Sequence, residues 1–567
     1  TNAYWIVDPL DGTTNFAAGI PYWSISVARF VGGAPQSSFL IIPTLKKKFV
    51  AIKGEGVWLN NKKIEINKKP ITSSIFLDAK VNALTRVGVI DVGSNSVRLV
   101  VFDGAARSPS YFFNENIFCG LGQDVNADGS LNIKSRERAF AALSRFALLV
   151  KNMKIFPIVC VATAAVREAS DQLKFCQDVF DKTGLELKVL TGIEEARLSA
   201  QGVFLGWPEA QGIMCDIGGS SLELASLGDG IVKSCSSVPL GPLKLTKFKK
   251  DQRLLRYQIN KRLMTINGLS DFSGKDLYLV GGSWRAIARL DMERRKYPLK
   301  VLHEYQMTED SILKTVKWVL SQDIKELGNL TGISKSRLKL VPVAAQVLRS
   351  LVKKLKPKSV SLSSYGIREG VLYEQMPYEL KRCDPLLEAC RLDEEQNARI
   401  SGFGLKLFKF LSPLFQKCSN RKNRLIKSAC LLHDVNWRAH PDYRAEVCFD
   451  NATRANLGGL SHKERIFLGV SLLHRYKNSR LDTQYEKVLG LLTTEELKEA
   501  EILGKAMRFG AMFSIIDADI PAKLHWDSKM RVIRLTLRPK SRRLYGEVVQ
   551  ARFLSLAKSM ESRIEVL

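Results

Sequence analysis

The chain has few of the residues that bind zinc or cross-link secreted proteins. Its 567 residues include only six histidines, and its ten cysteines show no CxxC spacing. The cysteines, among them Cys119, Cys160, Cys215 and Cys235, lie largely in apolar runs. Because isolated cysteines in apolar runs are typical of reduced, buried thiols, the sequence predicts a cytoplasmic protein with neither a zinc site nor a disulfide framework.

Long apolar runs and an excess of acidic residues are absent as well. No apolar stretch reaches the length of a membrane span, and no signal peptide is visible. The 86 lysines and arginines outnumber 57 acidic residues and give a formal net charge of +29. The many separate basic clusters favour a polyanion that displaces counterions. No helix-turn-helix, RNP-type or zinc-finger motif is present, so we expect no specific nucleic-acid partner and no membrane partner.

Two short glycine-rich turns, each opened by an aspartate, are the most informative feature of the chain. They lie in the segments RVGVIDVGSNSVRLVVFDG, around Asp91, and GIMCDIGGSSLELASLGDG, around Asp216. A glycine-rich hairpin directs backbone N–H groups at an anion, while the aspartate can hold a cation against that anion. Because each turn follows the pattern of a buried strand, the pair predicts a duplicated phosphate-binding unit that faces one shared cleft.

Three further segments add polar groups to this predicted cleft. The segment TGIEEARLSAQGVF begins a helix with Glu194 and Glu195 in its first turn, where acidic residues are also ordinary partners of the helix dipole. The segment DLYLVGGSWRAIARL places Gly281, Gly282 and Ser283 at the start of another helix, which is a ready site for an anion. The segment SSYGIREGVLYE follows near the end of this region.

The order of these motifs resembles the exopolyphosphatase and guanosine-pentaphosphate phosphohydrolase (Ppx/GppA) family. The motifs DxGSNSxRLV, ATAAxRE, GxEEARL, DIGGSSLEL, GGS and YGIREGVLYE follow one another from about residue 87 onward. The resemblance implies an α/β fold with two ribonuclease-H-like lobes of the actin and sugar-kinase superfamily. The second turn differs from the family, because it has Ser220 where a third glycine is common.

The same resemblance implies roles for individual residues. Glu195 matches the catalytic base, while Asp91, Asp216 and Glu223 match the groups around a Mg²⁺ ion. The predicted phosphate contacts come from the two turns, the ATAAxRE motif and the third glycine turn: Ser94, Asn95, Arg167, Gly218, Gly219, Ser220, Gly281, Gly282 and Ser283.

These roles agree with the chemistry of phosphoanhydride hydrolysis, which needs an in-line water and neutralised phosphoryl oxygens. A carboxylate such as Glu195 can activate that water, and carboxylate oxygens suit Mg²⁺. The sequence therefore predicts an exopolyphosphatase that releases orthophosphate from inorganic polyphosphate. A phosphohydrolase of pppGpp would use the same residues. A non-catalytic polyanion-binding protein would explain the charge but leave Glu195 without a role, and the YGIREG segment disfavours a kinase.

The first part of the chain resembles a different family, the inositol monophosphatases. The resemblance rests on the segments YWIVDPLDGTTNFAAGIPYWSISVARF and GEGVWLNNKKI. It implies that Asp8 and Asp11 match metal ligands and that Gly12 and Thr13 match a phosphate-contacting turn. The acidic segment upstream of this core and the WDxAAG-like segment downstream of it are missing. Because two carboxylates do not hold a Mg²⁺ pair in an ordered site, we expect vestigial ligands in an inactive remnant or an artefactual fusion.

The segments downstream of Glu369 have the apolar spacing of helices. The pair His433 and Asp434 is similar to the motif of the HD phosphohydrolases, but the preceding stretch EEQNARISGFGL contains no histidine that would complete a metal site. We therefore expect a helical scaffold that extends a basic channel or forms a homodimer interface.

The motifs together predict five parts. They are an α+β inositol monophosphatase-like fragment over residues 1–80, ribonuclease-H-like lobe I over residues 85–206, lobe II over residues 207–378, an all-α HD-like domain over residues 379–510 and a small α/β cap over residues 511–567.

Overall fold

The computed structural model describes residues 3–11, 23–64, 86–104, 106–123, 126, 128–416, 418–478, 485–513 and 520–567. The predicted turn at Gly12 and Thr13 lies outside the described residues, as does the predicted boundary between residues 80 and 85. The chain divides into two units, Thr1–Ala83 and Leu84–Leu567. In the part of the chain that the structure describes, no helix is long and apolar enough to cross a membrane.

The first unit is an antiparallel sheet of six strands in sequence order. Its strands are β1 (Ala3–Asp11), β2 (Ser24–Val31), β3 (Ala34–Ile42), β4 (Lys47–Ile52), β5 (Gly56–Leu59) and β6 (Lys62–Ile64). None of the strand residues is fully buried, and the side chains of Tyr4, Trp5 and Val7 on β1 are about half exposed. The described strands therefore pair into a sheet, but they have no buried core of their own.

Lobe I is built on a five-stranded sheet in the order β11-β10-β7-β8-β9. Its strands are β7 (Val87–Val92), β8 (Ser96–Phe102), β9 (Tyr111–Phe118), β10 (Ile158–Ala162) and β11 (Leu187–Val189). The first three strands are antiparallel, while β10 runs parallel to β7 and to β11. Its helices are Ile133–Asn152, Ala164–Arg167, Gln172–Thr183 and Gly192–Gly206.

Lobe II repeats this arrangement with one extra edge strand, in the order β14-β13-β12-β15-β17-β16. Its strands are β12 (Gly212–Ile217), β13 (Leu222–Gly228), β14 (Ile231–Val238), β15 (Leu277–Val280), β16 (Gln306–Met307) and β17 (Val360–Leu362). Its helices are Pro242–Leu245, Gln252–Leu263, Gly282–Arg294, Glu309–Ser321, Ile324–Thr331, Lys335–Leu338 and Val341–Leu355. The predicted pair of ribonuclease-H-like lobes is confirmed.

Two helices cross where the lobes join, Gly192–Gly206 and Ile367–Gln375. A Cβ atom at Gly202 would collide with the carbonyl oxygen of Gly366, and a Cβ atom at Gly370 would collide with that of Leu198. The two backbones therefore touch directly, and this close crossing fixes the position of the helix that carries Glu195.

The C-terminal region is a set of helices followed by a three-stranded sheet. The helices are Tyr378–Arg382, Pro385–Asn397, Phe403–Leu411, Asn420–Leu432, Arg444–Arg454, His462–His474, Glu486–Leu489, Thr494–Gly510 and Glu547–Ser559. The sheet consists of β18 (Ala522–Asp527), β19 (Val532–Leu537) and β20 (Arg563–Val566), in that order. One hydrophobic core runs through the helices and the sheet, with Phe509 stacked on Phe553.

Candidate active site

The two glycine-rich turns predicted from the sequence meet in the folded chain. The hydroxyl oxygens of Ser94 and Ser220 lie 3.2 Å apart, and both residues are buried. Glycine favours this approach, because a Cβ atom at Gly219 would lie only 3.1 Å from the Cβ of Ser94. The turn after β7 and the turn after β12 therefore form one continuous surface between the lobes.

Glu195 lies in the first turn of the helix Gly192–Gly206, which begins with a capping box formed by Thr191 and Glu194. Glu194 is used by the cap, whereas Glu195 is only 8% exposed and accepts a hydrogen bond of 2.9 Å from Arg167. Burial raises the pKa of Glu195 to about 7, although Arg167 acts in the opposite direction. A carboxyl group with such a pKa exchanges a proton near neutral pH, as a general base must.

Arg167 is held in place by a second contact. The same guanidinium nitrogen, Nη1, donates to the backbone carbonyl of Leu190 at 2.8 Å. Arg167, predicted as a phosphate contact, is thus tied to Glu195 in this structure. This ion pair orients the Glu195 carboxylate.

The three predicted metal ligands lie on strands that end in the cleft. Asp216 on β12 pairs in register with Glu223 on β13, and Asp91 occupies the matching position on β7. Asp216 accepts a hydrogen bond of 2.6 Å from Ser199, and Oε1 of Glu223 accepts one of 2.9 Å from Ser237. The other carboxylate oxygen of Glu223, Oε2, is buried without a hydrogen-bond partner among the described residues.

These acidic groups influence one another electrostatically. Burial is the main cause that raises the pKa values of Asp91, Asp216 and Glu223, and the charge of Glu195 raises the pKa of Glu223 further. Within the described ranges, no three side chains of the metal-binding types form a ready-made site. The donor set nevertheless fits a hard cation, since its oxygens repel one another and Oε2 of Glu223 is unpartnered.

Basic side chains that we did not assign from the sequence face the same carboxylates. Arg368 donates a hydrogen bond of 3.1 Å to Asp91, and Arg98 pairs with Asp91 in register across β7 and β8. Burial, together with the nearby charges of Arg368 and Arg285, lowers the pKa of Arg98 to about 10. All three arginines stand in motifs quoted above, so their residue types were visible in the sequence, but their convergence was not.

Two contacts of Glu369 were also not predicted from the sequence. Glu369 accepts hydrogen bonds from the backbone N–H of Gly366 at 2.7 Å and from the hydroxyl of Tyr111 at 3.0 Å. Tyr111 belongs to lobe I and Glu369 to the crossing helix Ile367–Gln375, so this bond ties the two together next to Arg368.

The third glycine turn lies against the second aspartate. Gly281 has a φ of +113°, and a Cβ atom there would lie 2.7 Å from Oδ1 of Asp216. Glycine is therefore required at this position. Gly282 and Ser283 begin the following helix.

The side chain of Asn95, in the first glycine-rich turn, accepts a hydrogen bond of 3.2 Å from Gln123.

The acidic residues of the first unit have a different environment. Asp8 and Asp11 are both exposed on β1. Oδ1 of Asp8 accepts a hydrogen bond of 3.2 Å from the N–H of Leu10, and Asp11 accepts one of 3.4 Å from the hydroxyl of Ser24. No basic side chain bonds to either of them among the described residues.

The HD-like pair is also bonded within the protein. Asp434 accepts two hydrogen bonds from Arg399, at 2.7 and 2.6 Å, so a guanidinium group lies against the carboxylate. Nδ1 of His433 bonds to the backbone carbonyl of Cys430 at 2.8 Å. Arg399 comes from the stretch in which an HD motif would have its earlier histidine.

Family models match three parts of the chain. Residues 100–379 match the Ppx/GppA phosphatase family, and residues 415–567 match the C-terminal domain of exopolyphosphatase. Over these two stretches the chain is similar to the Ppx/GppA phosphatases. Residues 1–97 match the inositol monophosphatase family. Both predicted resemblances are confirmed, and both families generally depend on divalent metal ions.

Individual relatives of the Ppx/GppA family cover different shares of the chain. Exopolyphosphatase 1 of Mycobacterium leprae is 25% identical over 307 residues, which are 52% of this chain and 90% of that protein. Retrograde regulation protein 2 of Saccharomyces cerevisiae is 24% identical over 457 residues, 73% of this chain and 77% of that protein. Among solved structures, the crystal structure of an exopolyphosphatase from Cytophaga hutchinsonii superimposes with a TM-score of 0.48. The two sequences are 21% identical, and the match covers 51% of this chain and 97% of that one.

Proposed function

We propose that this chain is an exopolyphosphatase, which hydrolyses the terminal phosphoanhydride of inorganic polyphosphate and releases orthophosphate. The observation that carries the proposal is the buried carboxyl of Glu195, whose pKa is raised to about 7 and which interacts with Asp91 and Asp216 at the two glycine turns. The family match and the name of the M. leprae relative support the same activity.

The terminal phosphoryl group would bind at the joined turns. The backbone N–H groups of the two turns and of the helix start at Gly282 are suited to phosphoryl oxygens. Arg98, Arg285 and Arg368 would neutralise the charge on those oxygens, as phosphoryl transfer requires. Guanidinium groups are well suited to this role because each can bind two oxygens of one phosphate.

Glu195 would act on the attacking water. Its carboxylate accepts a proton from the water as the water oxygen bonds to phosphorus, while the bond from phosphorus to the bridging oxygen breaks. The shortened polyphosphate leaves with the electron pair of the broken bond. Arg167 keeps the Glu195 carboxylate in one orientation throughout.

Asp91, Asp216 and Glu223 would hold the Mg²⁺ ion that the family resemblance implies. Mg²⁺ retains several waters and often binds through one or two carboxylates together with substrate phosphates, so three carboxylates in mutual contact are not required. When bound, the ion would neutralise charge on the phosphoryl oxygens.

The basic character of the chain favours polyphosphate over pppGpp as the substrate. A net charge of +29, divided over many clusters, matches a long polyanion better than one nucleotide. We also propose a homodimer in the cytoplasm. All ten cysteines are free, which agrees with a reducing compartment.

The test is a substrate comparison with the purified chain. Orthophosphate release is measured from polyphosphate and from pppGpp, each with Mg²⁺ and with a chelator. We expect Mg²⁺-dependent release with a higher kcat/KM for polyphosphate. Release from neither substrate would overturn the proposal, and a clear preference for pppGpp would replace polyphosphate by the nucleotide.

A further inference from the structure

A buried histidine contacts the segment that leads to Arg368. His303 is 3% exposed, and its Nδ1 accepts a hydrogen bond of 3.2 Å from the backbone N–H of Ser364. Its ring lies against two other aromatic rings, with centroid distances of 4.8 Å to Trp207 and 4.6 Å to Tyr365. His303 therefore contacts Ser364 and Tyr365, which lie just before the helix that carries Arg368.

The hydrogen bond from Ser364 fixes the tautomer of His303. A backbone N–H can only donate, so Nδ1 is the acceptor and the proton of the neutral imidazole is on Nε2. Burial, together with the nearby charges of Arg465 and His462, lowers the pKa of His303 to about 3. The imidazole therefore stays neutral near pH 7, and Nδ1 remains an acceptor for the segment.

The backbone N–H groups of this segment all have an acceptor, as buried backbone groups generally do. Three of the four in residues 363–366 donate to a backbone carbonyl of β15 or to side chains of residues 363–369. The fourth, the N–H of Ser364, donates to His303, which is 61 residues away in sequence. Without Nδ1 of His303, this N–H would need another acceptor, and the backbone would have to shift to reach one.

The C-terminal helical region contacts His303 as well. Nε2 of His462, at the start of the helix His462–His474, bonds to the backbone carbonyl of His303 at 3.2 Å. The next residue, Glu304, is 6% exposed and has a φ of +63°, which costs free energy for a residue other than glycine. Such strain persists only where the surrounding structure enforces it, so the backbone at His303 is held firmly in place.

We propose that His303 is a positioning residue of the active site. By holding the backbone of Ser364, it fixes the start of the helix from which Arg368 donates its hydrogen bond of 3.1 Å to Asp91. The helical region, through His462, in turn fixes His303. Because a shift of about 1 Å can cost a reacting group much of its effect, loss of this contact weakens the action of Arg368 on the phosphoryl oxygens.

The inference rests on the proposed phosphohydrolase activity. It also assigns to the helical region a role that neither a basic channel nor a dimer interface requires, because the contact through His462 reaches the active site by way of the backbone.

The first experiment is a double-mutant cycle with the full chain. His303→Phe keeps a ring between Trp207 and Tyr365 but has no acceptor for the N–H of Ser364. It should lower kcat/KM for polyphosphate by about tenfold. In the background of Arg368→Gln, it should lower the remaining kcat/KM by less than about twofold, because residues that act as one unit are not additive.

An equal factor in both backgrounds is the result of a general structural role and would overturn the proposal. The control His440→Phe replaces an exposed histidine and should behave like the unchanged chain. Thermal unfolding shows whether each variant is folded. If His303→Phe is not folded, His303→Leu, which also lacks an acceptor, takes its place in the cycle.

Hydrogen exchange gives a second measurement that does not depend on the substrate. The peptide of residues 359–369 should exchange faster in His303→Phe than in the unchanged chain, because the N–H of Ser364 loses its acceptor. Equal exchange would overturn the proposal even if activity falls. If the unchanged chain releases orthophosphate from neither polyphosphate nor pppGpp, the proposed function fails, and the exchange of this peptide alone decides whether His303 holds the segment.

Discussion

The sheet of the first unit and the cleft between the lobes carry similar motifs in opposite environments. In the sequence, both regions have an aspartate followed closely by glycine, and both match families of phosphatases. Asp8 and Asp11 are exposed and bond only to Leu10 and Ser24. Asp91 and Asp216, in contrast, are largely buried. The difference between the two regions therefore lies in packing, not in the local sequence.

Packing matters because a charge acts more strongly where water is excluded. In the cleft, two hydrophobic cores support the strands that end at the aspartates, and burial raises the pKa of every acidic group proposed to take part. The described strands of the first unit have no fully buried residue. A phosphate-binding motif becomes a reaction site only when the fold around it removes water and supplies opposing charges.

The largest expected effect comes from the proposed base. Glu195→Gln should lower kcat for polyphosphate by about 100-fold, the usual contribution of a general base, because the amide cannot accept the proton of the attacking water. The matched control is Glu194→Gln, one residue earlier, where the carboxylate belongs to the capping box. We expect it to change kcat little and to lower the unfolding temperature slightly. Similar kcat values for the two variants would remove Glu195 from the mechanism.

A smaller effect should separate the aspartates of the two regions. Asp216→Asn should lower activity by roughly tenfold or more and raise the Mg²⁺ concentration needed for half-maximal activity, because a neutral amide is a poorer ligand for a hard cation. Asp91→Asn should behave similarly. The control Asp8→Asn removes an exposed aspartate of the first unit and should leave the Mg²⁺ titration unchanged. An identical titration for Asp216→Asn would contradict the assignment.

The pH dependence gives a test of similar size. The proposed base works in its ionised form, and burial raises the pKa of Glu195 to about 7. Therefore kcat/KM should rise about tenfold between about pH 6 and about pH 8 and then level off. Arg167 lowers this pKa, so the variant Arg167→Gln should shift the midpoint to higher pH. A midpoint that stays near pH 4 in the unchanged chain would show that a different group titrates.

The fold was largely predictable from the sequence, because the glycine turns, the strand patterns around Asp91 and Asp216 and the order of the motifs are local features. The contacts of the site were less predictable. Arg98 faces Asp91 through the register of two strands, while Arg368 reaches the same aspartate from 277 residues further along the chain. Such pairings depend on how the lobes and the crossing helices pack, and a single sequence carries no direct signal for them.

The same limit applies to the HD-like region. The sequence showed that the stretch EEQNARISGFGL before His433 and Asp434 has no histidine, but not that Arg399 of this stretch would bond to Asp434. It also showed basic runs without showing which of them converge.

The smallest expected effect comes from removing the first unit altogether. A protein without residues 1–83 should keep the polyphosphate activity of the whole chain, because every assigned residue from Asp91 to Glu369 and the cores that support them belong to residues 84–567.

The complementary measurement is made on the intact chain, which should release no measurable phosphate from inositol monophosphate. Asp8 and Asp11 are exposed and lack buried partner carboxylates among the described residues, so these two groups alone would not hold a metal pair in a water-excluded site. Inositol monophosphate hydrolysis that disappears in Asp11→Asn would show that the first unit is an enzyme in its own right. The distinction between a buried, charged cleft and an exposed sheet would then no longer explain which of the two phosphate motifs is active.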